Sequence, residues 1–144
     1  MNWRNEHTAL WDAYRRTTYI ARLGQSEIRI NPDRQSAELD MLLNEHGAIE
    51  WAYVTAHNPQ SRRLTDEDNA KRQMELINAV QDRGLAFFEG DAVADDGKWP
   101  AEPSLLILGL PLDDARALGR QFGQLAIVVG RSGQPARLVA CTDD

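Results

Sequence analysis

Two aliphatic runs separated by a short helical signal, all within Trp99–Gly130, restrict the fold of this chain more than any other stretch. Ser104–Leu110 (SLLILGL) and Leu125–Val129 (LAIVV) are nearly continuous rather than alternating, the pattern of strands covered on both faces or lying centrally in a sheet. Between them, Asp113 and Asp114 sit where negative charge favours a helix N-terminus, and Gly123 follows Phe122 where a glycine can adopt the left-handed conformation that ends a helix. The spacing predicts a helix over about 112–122, with Ala115, Leu118 and Phe122 turned toward the two strands. Both strands are therefore expected in the core, and central in the sheet.

The other elements follow from local signals. Leu10, Trp11 and Tyr14 are spaced for an opening helix over about 8–16, whose aromatics pack on the body of the domain, while Trp3 is expected to be loosely held. Thr18–Leu23 and Glu27–Ile30 flank Gly24-Gln25 as a hairpin with Ile28 and Ile30 on one face and Arg29 on the other. Asn31-Pro32-Asp33 breaks the strand, Ser36 caps a helix over about 37–46 carrying Leu39, Leu42 and Leu43, and Gly47 ends it. Trp51–Ala56 (WAYVTA) reads as a strand running into the polar loop His57–Ser61. Thr65 then opens a long helix, about 66–83, with an expected buried stripe of Ala70, Met74, Ile77 and Val80, Leu76 at its margin, and Gly84 closing it. Leu85–Glu89 is a short strand, Asp91–Lys98 (DAVADDGK) a surface loop, and Ala136–Ala140 a last strand paired with Leu125–Gly130; Thr142-Asp143-Asp144 should fray. Such irregular alternation predicts an α+β fold, a single domain over 1–144, with a mixed β-sheet of about five to seven strands and three or four helices packed on it.

Composition narrows the function classes. The 144 residues carry a net charge of −6, so the protein is acidic and lacks the broad basic face that nucleic-acid binding needs. The single cysteine, Cys141, cannot close an intrachain disulfide and reads as a reduced thiol. The opening MNWRNEHTALWDAYRR has no apolar run of a secretory signal, and no segment approaches the roughly 18 apolar residues that span a bilayer, so a cytoplasmic protein with no membrane partner is expected. The phosphate-loop, dinucleotide, CxxC, HExxH and GxSxG signatures are absent, and three scattered histidines (7, 46 and 57) do not compose a metal site; no cofactor and no metal are expected.

WAYVTAHNP, TDEDNAKRQMEL, EGDAVADDGKWPAEPSLLILGL and RQFGQLAIVVG, in that order, resemble the bacterial family catalogued as domain of unknown function 3293. The resemblance runs from about residue 11 to 141. It implies a small bacterial protein and carries over no reaction and no catalytic residues.

Two polar sets are the candidate sites. His57, Asn58 and Ser61 lie on the loop after a strand, with Asn69 and Arg72 on the first turns of the next helix, where free amides and a guanidinium attract acceptor groups. The structural alternative has Asn58 and Ser61 bonding turn backbone and Arg72 paired with Asp68, its i−4 neighbour. Glu102, beside Trp99 and two prolines and ahead of Ser104, has surroundings that would raise its pKa for acid–base work, with Gln124 at the mouth of the second run; its alternative is a carboxylate capping backbone amides while Trp99 covers the core edge. Two functions compete. One is a non-catalytic binding or regulatory domain acting through a protein partner or self-association. The other is a small-molecule sensor or enzyme using His57, Asn58, Arg72 and Glu102, and it requires these four to converge in one concave pocket.

Overall fold

The hairpin at Gly24 forms as β1 (Thr17–Leu23) and β2 (Ser26–Ile30), with Ile28 and Ile30 buried and Arg29 exposed between them. The structure, a computed structural model, describes residues 7–142. The expectations for Trp3 and for the last two residues lie outside that range. Helix α1 (Thr8–Arg15) precedes the hairpin, and α2 (Ala37–Glu45) follows it with the Ser36 hydroxyl accepting from the Leu39 amide. Then come β3 (Glu50–Thr55), α3 (Asp66–Asp82) capped by Thr65, β4 (Phe87–Ala94), β5 (Glu102–Leu108), α4 (Leu112–Gln121), β6 (Ala126–Arg131) and β7 (Arg137–Ala140).

The strands form one seven-stranded sheet in the order β2-β1-β4-β5-β3-β6-β7. The α+β class holds, but every pairing is antiparallel where a mixed sheet was expected. Element order carries no strand direction. Tight connections reverse the chain between β1 and β2, β4 and β5, and β6 and β7, and the helical connections bring the remaining strands beside neighbours of opposite sense. Strand β5 is the middle one. Strand β6 lies one place in from the edge, covered by β7, and it is β3 that sits between β5 and β6.

Two further expectations are corrected. Asp91–Ala94 is strand rather than loop, because β4 runs on to pair with β1 from Ala21↔Gly90 to Thr17↔Ala94. Gly90, just ahead of this stretch, is what close approach to β1 requires: a Cβ there would overlap the Ile20 carbonyl. On α3 the buried stripe is Asn69, Gln73, Leu76 and Val80, while Met74 is 55% exposed. The helix is rotated by about one residue because Asn69 faces inward to bond the preceding loop, as described below.

The sheet has two covered faces. On one, Val54, Leu105, Ile107 and Val129 pack with Leu76 and Val80 of α3 and Leu118 of α4, all buried aliphatics whose burial stabilises by roughly 1.5–3 kcal/mol each. On the other, Tyr19, Tyr53, Leu106 and Val128 join Leu39, Leu42 and Leu43 of α2, and α1 covers the remainder with Trp11 buried.

Candidate functional site

The loop after β3 has three residues other than glycine in the left-handed region, Asn58 (φ 47°), Gln60 (φ 58°) and Ser61 (φ 57°). Each such residue costs of order 1–3 kcal/mol, and this strain persists only where the surroundings over-determine the conformation. Here they do. The Asn58 backbone amide donates to Asn69 Oδ1 at 2.9 Å, and Asn58 Oδ1 accepts from both Leu64 N and Asn69 Nδ2 at 2.9 Å. Gln60 N donates to the Gly123 carbonyl at 2.8 Å. Gly123 (φ 71°) is required at this contact, since a Cβ there would lie 2.6 Å from Pro59 Cβ.

Arg72 is turned inward. Its Nε donates to the Ala56 carbonyl at 2.6 Å, immediately before the loop, and Nη2 donates to the Phe122 carbonyl. It thus ties the end of β3 to the end of α4 and makes no ion pair with Asp68. Gln124 acts alongside it, with Nε2 donating to the His57 carbonyl at 3.1 Å. The Ser61 hydroxyl lies 2.6 Å from that of Tyr14, whose pKa burial raises to about 12, so α1 is fastened to the same loop.

The two candidate sets meet at one atom. Glu102 Oε2 accepts from Asn58 Nδ2 at 2.7 Å and from Trp99 Nε1 at 2.7 Å. Oε1 has no hydrogen-bond partner among the described residues. Burial raises the pKa of this carboxyl, opposed by the hydrogen bonds from Trp99 and Asn58. The group therefore caps no backbone amide. It is held by two side chains, one from the strained loop and one from the β4–β5 connection.

Glu102, Asn58 and Ser61 form the polar end of a cavity of about 180 Å³ between α1 and the sheet, with Gln124, Thr55 and Ser104 beside them. The rest of its wall is Tyr14, Tyr19, Tyr53 and Trp99 with small residues such as Ala92 and Ala126. His57 does not share it. It borders a second cleft of about 510 Å³ that Asn58, Asn69, Gln73 and Glu102 also line, and its Nε2 is buried without a partner; burial, and then the positive charge of Arg72, lower its pKa. Of the four residues that a pocket would need, Asn58 and Glu102 line both spaces and His57 joins them in the second cleft, whereas Arg72 serves backbone. The sequence reading did not single out Tyr19 and Tyr53 for the cavity; the alternation of Trp51 and Tyr53 along β3 was a signal that both lie on one face.

No group of three His, Cys, Asp or Glu able to hold a metal is found among the described residues. Cys141 is buried and its thiol is raised to about 11 by that burial, which makes it an inert packing group. No helix among the described residues is long and apolar enough to cross a membrane.

The sequence pattern of the family described as Protein of unknown function (DUF3293) matches residues 54–127, just over half of the chain. The chain belongs to that family. The DUF3293 span runs from the end of β3 to the start of β6, so it contains the strained loop, Asn69, Arg72, Trp99, Glu102 and Gln124, but neither Tyr14 nor Tyr19. No curated protein and no solved structure matches the chain.

Proposed function

We propose that this protein binds a small molecule in the cavity under α1, with Glu102 as its polar anchor. The observation that carries the reading is the Glu102 carboxyl: Asn58 and Trp99 hold one oxygen at the end of an apolar cavity while the other oxygen is unpartnered. One oxygen is thus oriented by two side chains while the other stays accessible to a donor that enters, as a binding group requires. The left-handed loop supports the same reading, because strain concentrated beside a cavity is the mark of a pre-organised binding site. Action through a protein partner or by self-association rests on no comparable feature. The resemblance to a bacterial family and the lone buried thiol, which calls for no oxidising compartment, support a bacterial cytoplasmic setting.

The test is native mass spectrometry of protein from its own host, beside an Ala126→Phe variant that fills the cavity and is verified as folded by circular dichroism. A small molecule retained by the parent chain and lost from the variant is expected. Equal retention by both would move the ligand elsewhere, and an empty parent chain that takes up no probe in the cavity would overturn the reading.

A further inference from the structure

We infer that the ligand of this cavity is a small organic cation, an amine or methylated ammonium; the inference rests on the ligand-binding reading above and adds its charge. Four aromatic residues, Tyr14, Tyr19, Tyr53 and Trp99, border a space of about 180 Å³ together with Glu102. The faces of such rings are electron-rich, and an alkylated ammonium gains most from them where water is excluded. Glu102 is the one acid in the wall, and no lysine, arginine or histidine lines it among the described residues. An anion entering would lose its hydration and find no positive partner, whereas a cation gives the partly buried carboxylate the counter-charge that it lacks.

The local chemistry already favours cations. Arg63, which borders the second cleft, lies 5.9 Å from the centre of the Trp99 ring, so a guanidinium is drawn to the same indole that donates to Glu102. The phenol oxygens of Tyr19 and Tyr53 are engaged elsewhere, donating at 2.7 Å to the Tyr14 and Ile20 carbonyls, which leaves the rings, not the hydroxyls, as what these residues offer a ligand. Size agrees: a cavity of about 150 Å³ holds benzene, so this one takes a compact headgroup and not a long chain.

The experiment is an NMR titration of the full chain with choline and with its uncharged carbon isostere 3,3-dimethylbutan-1-ol, plus xenon as a chemically neutral cavity probe. Choline is expected to bind about tenfold more tightly than the alcohol, with shifts at Tyr53 and Trp99. Glu102→Gln keeps an oxygen for Asn58 and Trp99 to bond and removes the charge, and should reduce choline affinity about tenfold while leaving the alcohol unchanged. Trp99→Leu, in a connection outside the core, should act in the same direction and keeps the test decisive should Glu102→Gln misfold. Equal binding of choline and the alcohol overturns the cation class and leaves the cavity a ligand site. Entry of xenon with neither probe bound does the same. Failure of xenon to enter as well removes the ligand reading itself.

Discussion

The two faces of one sheet differ in how they are filled. Against α3 and α4 the strands present Val54, Leu105, Ile107 and Val129, branched aliphatics that interlock with Leu76, Val80 and Leu118. Beneath α1 they present Tyr19 and Tyr53 together with the short side chains of Ala92 and Ala126, and a helix of only eight residues does not occupy the room that remains. Rings beside alanines close-pack less completely than branched chains do, so the α1 end of this face retains a cavity, whereas the centre of the other face is filled and opens only at its rim, in the cleft beside α3. Neighbouring strands thus carry the aliphatic core on one side and the wall of the cavity on the other, since successive side chains along each strand point to opposite faces.

The strongest way to break this comparison is to remove volume from the solid face. Leu105→Ala should destabilise by about 3–4 kcal/mol in urea denaturation, because its fully buried site has no slack to collapse into. A loss under about 1 kcal/mol would mean that this face is no better packed than the other.

Next in size is the joint between the faces. Asn58→Ala removes three side-chain hydrogen bonds, strands the buried Asn69 amide and leaves alanine in a left-handed conformation, so a loss of about 2–3 kcal/mol is expected. The Leu64 amide should lose protection in hydrogen exchange while β5 keeps its own. If Leu64 stays protected, the loop is held by something other than the Asn58 side chain.

Arg72→Ala should cost about 1.5–2 kcal/mol, more than a surface ion pair with Asp68 would, because two backbone carbonyls lose a charged donor. Hydrogen exchange should quicken at Gln60, whose amide bonds Gly123 beside the carbonyl that Arg72 holds. A cost near zero would show the tie between β3 and α4 to be dispensable.

The smallest effect is electrostatic and belongs to the cavity face. Burial raises the pKa of Glu102 in the folded chain above its unfolded value, so its contribution to stability is fully present below the ordinary glutamate range and declines as pH rises through the folded pKa. Glu102→Gln should remove this decline. Denaturation midpoints followed upward from about pH 4 should therefore fall less steeply in the variant than in the parent chain, and parallel curves would place the carboxyl in bulk water.

Much of the fold was legible along the chain because its signals are local. The Ser36 and Thr65 caps, the turn at Gly24 and the ends of α2 and α4 at Gly47 and Gly123 each depend on a few adjacent residues, and each appears where local chemistry requires it. Local composition misled where distant partners intervened. DAVA is small and polar enough for a loop, yet the ladder with β1 and the 2.5 Å ion pair of Asp91 with Arg22 make it strand. The stripe of α3 departs from its apolar period by one residue for the same reason, since an apolar scale assigns Asn69 to the surface and cannot register its hydrogen bonds with Asn58 inside.

The sequence by itself determined the α+β class, most strand and helix segments and the residue types available for a site, because hydrophobic period, capping and turn chemistry act within a few residues of one another. It also offered Asn58 and Glu102, among the candidates His57, Ser61, Asn69, Arg72 and Gln124. Only the tertiary structure decided that Asn58 and Glu102, 44 positions apart, share a hydrogen bond, that Arg72 turns away from them to backbone carbonyls, and that four rings from α1, β1, β3 and the β4–β5 connection border one space. Sheet order and strand direction made those decisions, and they arise from packing among distant segments, which no stretch of the chain encodes alone.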